Sequence, residues 1–229
     1  MANQVDINEK MRSILLDWLV EVHRMFKLLP ETLFLAVNII DRFLEVKAVA
    51  RDKLQLVGVT AMLIASKYEE IYAPECNDFV YISDGAYSKE MILQMEQMIL
   101  SALNFNLNAP SPLHFLRRYS KAAASDYTIH TLCKYLIELT ILDLKLLKYT
   151  PSSLAAGSVY IARKMTNKDE LWTPTLAHYT TLSEAEVREV AVDMNNLLKK
   201  NARSTLKAIK KKYALPKFGE VANMPLVDL

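Results

Sequence analysis

The sequence predicts an all-α fold of two tandem five-helix domains, each around a central buried helix. Three observations carry that expectation. The run Leu54-Gln55-Leu56-Val57-Gly58-Val59-Thr60-Ala61-Met62-Leu63-Ile64-Ala65-Ser66 holds no charge, and Lys53 and Lys67 bracket it. At helical spacing its apolar residues point all the way round, so other helices must wrap it. Of the 229 residues 52% are hydrophobic and only four are glycine, which suits long helices with few tight hairpins. Finally, the pattern repeats after a shift of about one hundred residues. The central run is too short for a membrane span and carries Gln55, Thr60 and Ser66. Gly58, Ala61 and Ala65 fall on one side of it, where another backbone can come close.

The elements follow in order. Asn8 is placed to cap a first helix from Met11 to Lys27. Met11, Leu15, Trp18 and Val22 form its stripe, flanked by Ile14, Leu19, Met25 and Phe26. That apolar arc is wider than one buried face needs, so part of it is expected to stay exposed. Leu29-Pro30 ends this helix, and Glu31 opens the next, to about Val46. The central helix closes on Lys67-Tyr68-Glu69-Glu70, and a short helix spans Glu75 to Ile82. Ser83-Asp84-Gly85 reads as a turn, and Ser88 caps an amphipathic helix from Lys89 to Leu103. Asn104 to Pro112 holds two prolines and no helical period, which places a linker there.

Beyond the linker the pattern returns. Thr131-Leu132 matches Thr32-Leu33 in periodicity, Ile161-Ala162-Arg163-Lys164 echoes Ile64-Ala65-Ser66-Lys67, and Ser183 with its helix echoes Ser88 with its own. Gly157 puts a small residue in the second central helix. The expected organisation is residues 1–107, residues 108–200, and an irregular surface arm over 201–229 with a basic run at Lys207, Lys210, Lys211 and Lys212.

Charge and chemistry narrow the function. Net charge is +2, so no global field favours nucleic acid or membrane. Cys76 and Cys133 lack CxxC spacing and read as buried free thiols. No signal peptide is evident, so nucleus and cytoplasm are the expected locations. His23, His114, His130 and His178 are scattered without metal-ligand spacing, and no phosphate-cradling glycine loop or nucleophile elbow occurs. No catalytic residue, metal or cofactor is therefore assigned. The informative residues are charges on apolar faces: Arg12, Asp41 and Glu96, with Lys67 closing the central helix. Unpaired burial is costly, so Arg12 and Asp41, on neighbouring helices, are expected to pair internally. For Lys67 and Glu96 an internal pair and an interface role compete evenly. Tyr68, Phe105 and Leu107 beside them suit either core packing or an interface core with a polar rim.

These residues also carry a family resemblance. Met11-Arg12-Ser13-Ile14-Leu15-Leu16-Asp17-Trp18-Leu19 resembles the MRAILxDWL opening of the cyclin box. Asp41-Arg42-Phe43-Leu44, Lys53-Leu54-Gln55-Leu56-Val57-Gly58 and Ala65-Ser66-Lys67-Tyr68-Glu69-Glu70-Ile71 match its further signatures in order. The stretch Glu75 to Ile82 and the Met95-Glu96 helix are most similar to the mitotic A/B group. The resemblance implies a noncatalytic activating subunit of a cyclin-dependent kinase, acting in S/G2/M. It implies that Lys67 and Glu96 anchor the kinase's mobile PSTAIRE-type helix, with Ile64, Tyr68, Glu69, Leu100, Phe105 and Leu107 as surrounding contacts. It further implies that Met11, Ile14, Leu15, Trp18, Glu21 and Gln55 dock Arg-x-Leu motifs of substrates and inhibitors, and that Arg12 and Asp41 form a structural salt bridge. Tyr68 stands where phenylalanine is common in the family. Mitotic members carry a long N-terminal region with a destruction signal and a helix ahead of the box. Only about ten residues precede Met11, so an excised core is expected. The competing class is a cyclin-fold transcription factor binding DNA and the basal machinery. It would need a basic face across both repeats, and here lysines concentrate in the tail instead.

Overall fold

A computed structural model of the chain describes residues 3–229, and the chain divides into two compact units between Ala109 and Pro110. In the first unit the helices are α1 (Glu9–Met25), α2 (Pro30–Val46), α3 (Leu54–Glu69), α4 (Cys76–Ile82) and α5 (Lys89–Ala102). The α3 helix packs against all four others, and it is buried continuously from Leu56 to Ser66. The reason is its composition: a helix apolar on every side is stable only when covered on every side. Gly58 lies against α1. A Cβ there would stand 2.7 Å from Leu15 Cδ1, so the glycine is what lets Leu15 lie on the helix.

Local chemistry sets the ends. The Asn8 side chain accepts from the Met11 N–H at 3.0 Å and starts α1. Ser88 does the same for α5 through the Met91 N–H. The helix expected over Glu75 to Ile82 begins one residue later, because Glu75 is its cap, in a reciprocal box with Asp78. Helix α2 has Pro30 at its first turn, and its N-cap residue Leu29 has no side chain able to cap it. That role falls to Glu70, whose Oε1 accepts the Leu29 N–H at 2.7 Å and the Thr32 hydroxyl at 2.5 Å. At the other end of α2, Gln4 donates to the carbonyls of Leu44 and Lys47, both at 2.6 Å, and accepts the Val49 N–H. Such remote caps satisfy groups a helix cannot satisfy internally.

The second unit repeats the plan with α6 (Pro112–Ala122), α7 (Tyr127–Thr140), α8 (Pro151–Met165), α9 (Pro174–Thr180) and α10 (Glu184–Ala202). Here α8 is the wrapped helix, packed by α6, α7 and α10. Gly157 admits Val190 and Met194 of α10, each 3.0 Å from where a Cβ would sit. The two central glycines thus serve one purpose with different neighbours. Arg163, almost fully buried, donates to the Ala123 carbonyl at 3.0 Å and to the Glu170 carbonyl at 2.7 Å, tying the end of α6 to the loop after α8.

Residues 201–229 differ from the expected irregular arm. They carry α11 (Ala208–Tyr213) and short 3-10 turns at Pro216–Phe218 and Val221–Asn223, and they belong to the second unit. Ala208, Ile209, Lys212, Tyr213 and Val221 are buried, with α11 packed on α7. The physical reason is Glu138 of α7, which is 2% exposed and takes Lys212 Nζ on both oxygens at 2.8 and 2.7 Å. One lysine of the basic run is therefore a core residue. Among the described residues no helix is long and apolar enough to cross a membrane.

Candidate protein-docking site

The assigned functional residues all lie in the first unit, on two surfaces. The first sits where α3 ends. Lys67, half exposed, donates Nζ to both Glu96 oxygens of α5 at 2.9 Å. Tyr68, next on α3, is 54% exposed. Glu69, Leu100 and Leu107 are half-buried. Ile64, one turn earlier, is 3% exposed, so it supports this surface from beneath and offers a partner only its edge. Ile71 and Tyr72 follow the helix and are almost fully exposed.

Phe105 is the outlier of the group. It is 70% exposed, and both it (φ 56°) and Asn104 (φ 51°) occupy the left-handed region. Asparagine tolerates that region, whereas a bulky side chain there is uncommon. The turn is held by the Phe105 N–H on the Leu100 carbonyl at 2.9 Å. That bond is the left-handed cap that also ends α1 at Lys27, α6 at Ala124 and α8 at Asn167; the second left-handed residue, Phe105, is what sets this turn apart.

Cys76, expected to be buried, is half-buried and lies close to the ion pair. Partial burial pushes its thiol up from the ordinary value, against the pull of Lys89 and Lys67. Composition alone could not reveal this, because α4 buries only Phe79, which packs edge-on to Phe26 at 5.1 Å.

The second surface runs along α1. Ile14 is half exposed, while Met11, Trp18 and Glu21 are half-buried, as is Gln55 at the start of α3. Leu15 lies beneath them, buried on Gly58. The strip is therefore a part-exposed apolar patch with Leu15 buried within it. Glu21 carries an exposed i, i+3 contact from Arg24 at 3.2 Å. Between the helices, the fully buried Arg12 donates Nε to Asp41 Oδ1 at 2.5 Å and Nη2 to Oδ2 at 2.7 Å, a bidentate pair that locks α1 to α2.

Among the described residues no group of His, Cys, Asp and Glu could hold a metal ion. What the first unit presents is two part-exposed patches on a helical frame, in a chain with two copies of that frame. Residues 1–108 match the family described as "Cyclin, N-terminal domain", and residues 110–226 match "Cyclin, C-terminal domain". The chain belongs to the cyclin family. It is 48% identical over 229 residues to the G2/mitotic-specific cyclin-B of Dictyostelium discoideum, covering 100% of this chain and 52% of that protein. The chain spans about half the length of the curated relatives it matches. Among solved structures, a viral cyclin from herpesvirus saimiri superposes with a TM-score of 0.74 at 22% identity, covering 85% of this chain and 88% of that one. A chain of the yeast RNA Pol II CTD kinase CTDK-1 complex gives 0.70 at 15% identity, covering 96% and 79%. At those identities both establish the fold alone.

Proposed function

We propose that this chain is the activating subunit of a cyclin-dependent kinase, working in S/G2/M in nucleus and cytoplasm, and that it binds the kinase through the surface at the end of α3. The observation that carries this reading is the ion pair of half-exposed Lys67 with the more buried Glu96, beside the exposed rings of Tyr68 and Phe105. Lys67 has three donors, and a carboxylate has about four lone-pair sites. The pair therefore keeps hydrogen-bonding capacity for a partner's backbone while its own geometry is already set. Aromatic side chains with a polar rim suit an interface core. The Dictyostelium relative carries the name of a mitotic cyclin, and the yeast structural neighbour comes from a kinase complex. Activation then needs only preferential binding to the active kinase conformation. Lys67→Ala and Glu96→Ala should each weaken kinase binding about 30-fold or more, the scale of an interface hot spot. Titrating each variant against a purified cyclin-dependent kinase and reading phosphorylation of a short peptide tests this. Activation by both variants at wild-type concentrations would sink the reading.

We propose that the α1 strip takes an extended Arg-x-Leu segment of substrates and inhibitors. Its leucine packs on Met11, Ile14 and Trp18 above Leu15, while Glu21 and Gln55 meet the polar part. Glu21 is half-exposed and shared with Arg24, so its share of binding should fall with added salt. Ile14→Ala, at a half-exposed position that spares the core, should weaken such a peptide about 3- to 10-fold, and Met11→Ala with Trp18→Ala should abolish detectable binding. Calorimetric titration, with circular dichroism as the folding control, reads both. Unchanged affinity in the double variant would make the strip ordinary packing.

A further inference from the structure

The contact between Glu70 and α2 joins the docking surface to the fold, and Glu70 itself is outside the set of residues assigned to the kinase. It is the C-cap of α3, bonded through its N–H to the Ser66 carbonyl at 2.9 Å, and its backbone is extended as the chain leaves the helix. Lys67, Tyr68 and Glu69 precede it directly, and the exposed Ile71 and Tyr72 follow. Its carboxylate reaches 38 to 41 residues back, to Thr32 and Leu29 at the start of α2. Leu29 is gripped from the other side too: its carbonyl accepts a hydrogen bond from His23 Nε2 of α1 at 2.9 Å. One turn thus holds together the ends of α1, α2 and α3, and a negative group stands where the α2 dipole favours it.

We propose that Glu70 is a positioning residue of the kinase-facing surface. By capping α2 from the end of α3, it fixes where Lys67, Tyr68 and Glu69 stand and how Ile71 and Tyr72 are presented. This rests on the kinase-docking reading above. The effect is specific to one end of the helix. Gln4 caps the opposite end of α2 through the carbonyls of Leu44 and Lys47, so the molecule contains its own control: two remote caps on one helix, only one of them adjacent to the docking surface.

The test uses Glu70→Ala, Glu70→Gln, Gln4→Ala and Lys67→Ala in the full chain. Each is titrated against a purified cyclin-dependent kinase, with the half-saturating concentration, the rate at saturation and the melting temperature recorded. Glu70→Ala should raise the half-saturating concentration about tenfold, since two charge-assisted bonds are lost, while the rate at saturation stays the same. Glu70→Gln keeps an acceptor oxygen for Leu29 and Thr32 and should recover to within about threefold of wild type. Gln4→Ala should lower the melting temperature yet leave half-saturation unchanged. Wild-type half-saturation for Glu70→Ala would overturn the proposal. So would an equal loss in Gln4→Ala, because the effect would then be general stability of α2. Lys67→Ala separates the two failures. Full activation by Lys67→Ala sinks the kinase-docking reading itself, whereas a defective Lys67→Ala beside a normal Glu70→Ala sinks only the positioning role.

Discussion

Asp41→Ala should destabilise the first unit by about 3–5 kcal/mol, the usual cost of removing one partner of a buried ion pair. Arg12 is fully buried, and Asp41 takes two of its donors at 2.5 and 2.7 Å. A guanidinium cannot escape by losing its proton. Removing Asp41 therefore leaves a charge inside the helix pair with less to neutralise it. The opposite truncation should cost less. Asp41 is 16% exposed, so after Arg12→Met its carboxylate can turn toward water. The double variant Arg12→Met with Asp41→Leu should return close to wild type, because an apolar pair of similar volume often replaces a buried ion pair without loss. Urea unfolding of these variants together with the single Asp41→Leu, followed by a probe in the first unit, closes the cycle and gives the coupling directly. The two units need not unfold together, so the first transition is the one to compare. A midpoint for Asp41→Ala within error of wild type would show that the pair contributes no stability.

This pair was legible because both residues broke an apolar helical stripe within helices adjacent in sequence. The same rule brought out Lys67 and Glu96 and the wrapped helix α3. What escaped has a common physical character: long-range polar partnership. Glu70 looks like the polar end of a helix until Leu29 is seen to lack a cap of its own. Glu138 sits between Ile137 and Leu139, as conspicuous as Asp41, but its partner is 74 residues away in a basic run. Runs of lysine are normally solvated, and that prior hid Lys212. A helical signal did exist there, since Ile209 and Tyr213 are four residues apart and both buried. For the docking surface, side-chain types and spacing pointed to Tyr68 and Phe105. They could not reveal that Phe105 stands on a left-handed turn, because that conformation depends on how α5 ends. Nor could helical phase alone separate Leu15, within the patch, from Ile14, which faces solvent; the burial of Leu15 on Gly58 decides that.

Glu138→Ala should cost the second unit about 3–5 kcal/mol and release α11 with the turns that follow it. Lys212 Nζ bonds both Glu138 oxygens, and the Tyr213 hydroxyl donates to Oε2 at 2.9 Å. The Tyr213 ring packs at 5.4 Å on Tyr135 and at 5.0 Å on Phe218, so the ion pair and the apolar contacts of the tail reinforce one another. Without Glu138 the Lys212 ammonium is left in the interior, and the cheapest response is for α11 to leave α7. Hydrogen exchange over residues 208–223 should accelerate accordingly, while α8 keeps its protection. Tyr213→Phe is the milder probe, removing one hydrogen bond to a charged acceptor for about 1.5–3 kcal/mol. Alkaline titration gives an independent reading of the same contact. Burial, and next the Glu138 charge, hold the Tyr213 hydroxyl well above its ordinary 10.0. The unfolded chain then loses this proton first as the pH rises. Stability from this group is complete below pH 10.0 and falls as the pH climbs above it. Tyr213→Phe should flatten that part of the decline. If Glu138→Ala leaves exchange over residues 208–223 unchanged, the tail is held by its apolar contacts alone; if Tyr213→Phe keeps the full alkaline loss, the Tyr213 hydroxyl is not its source.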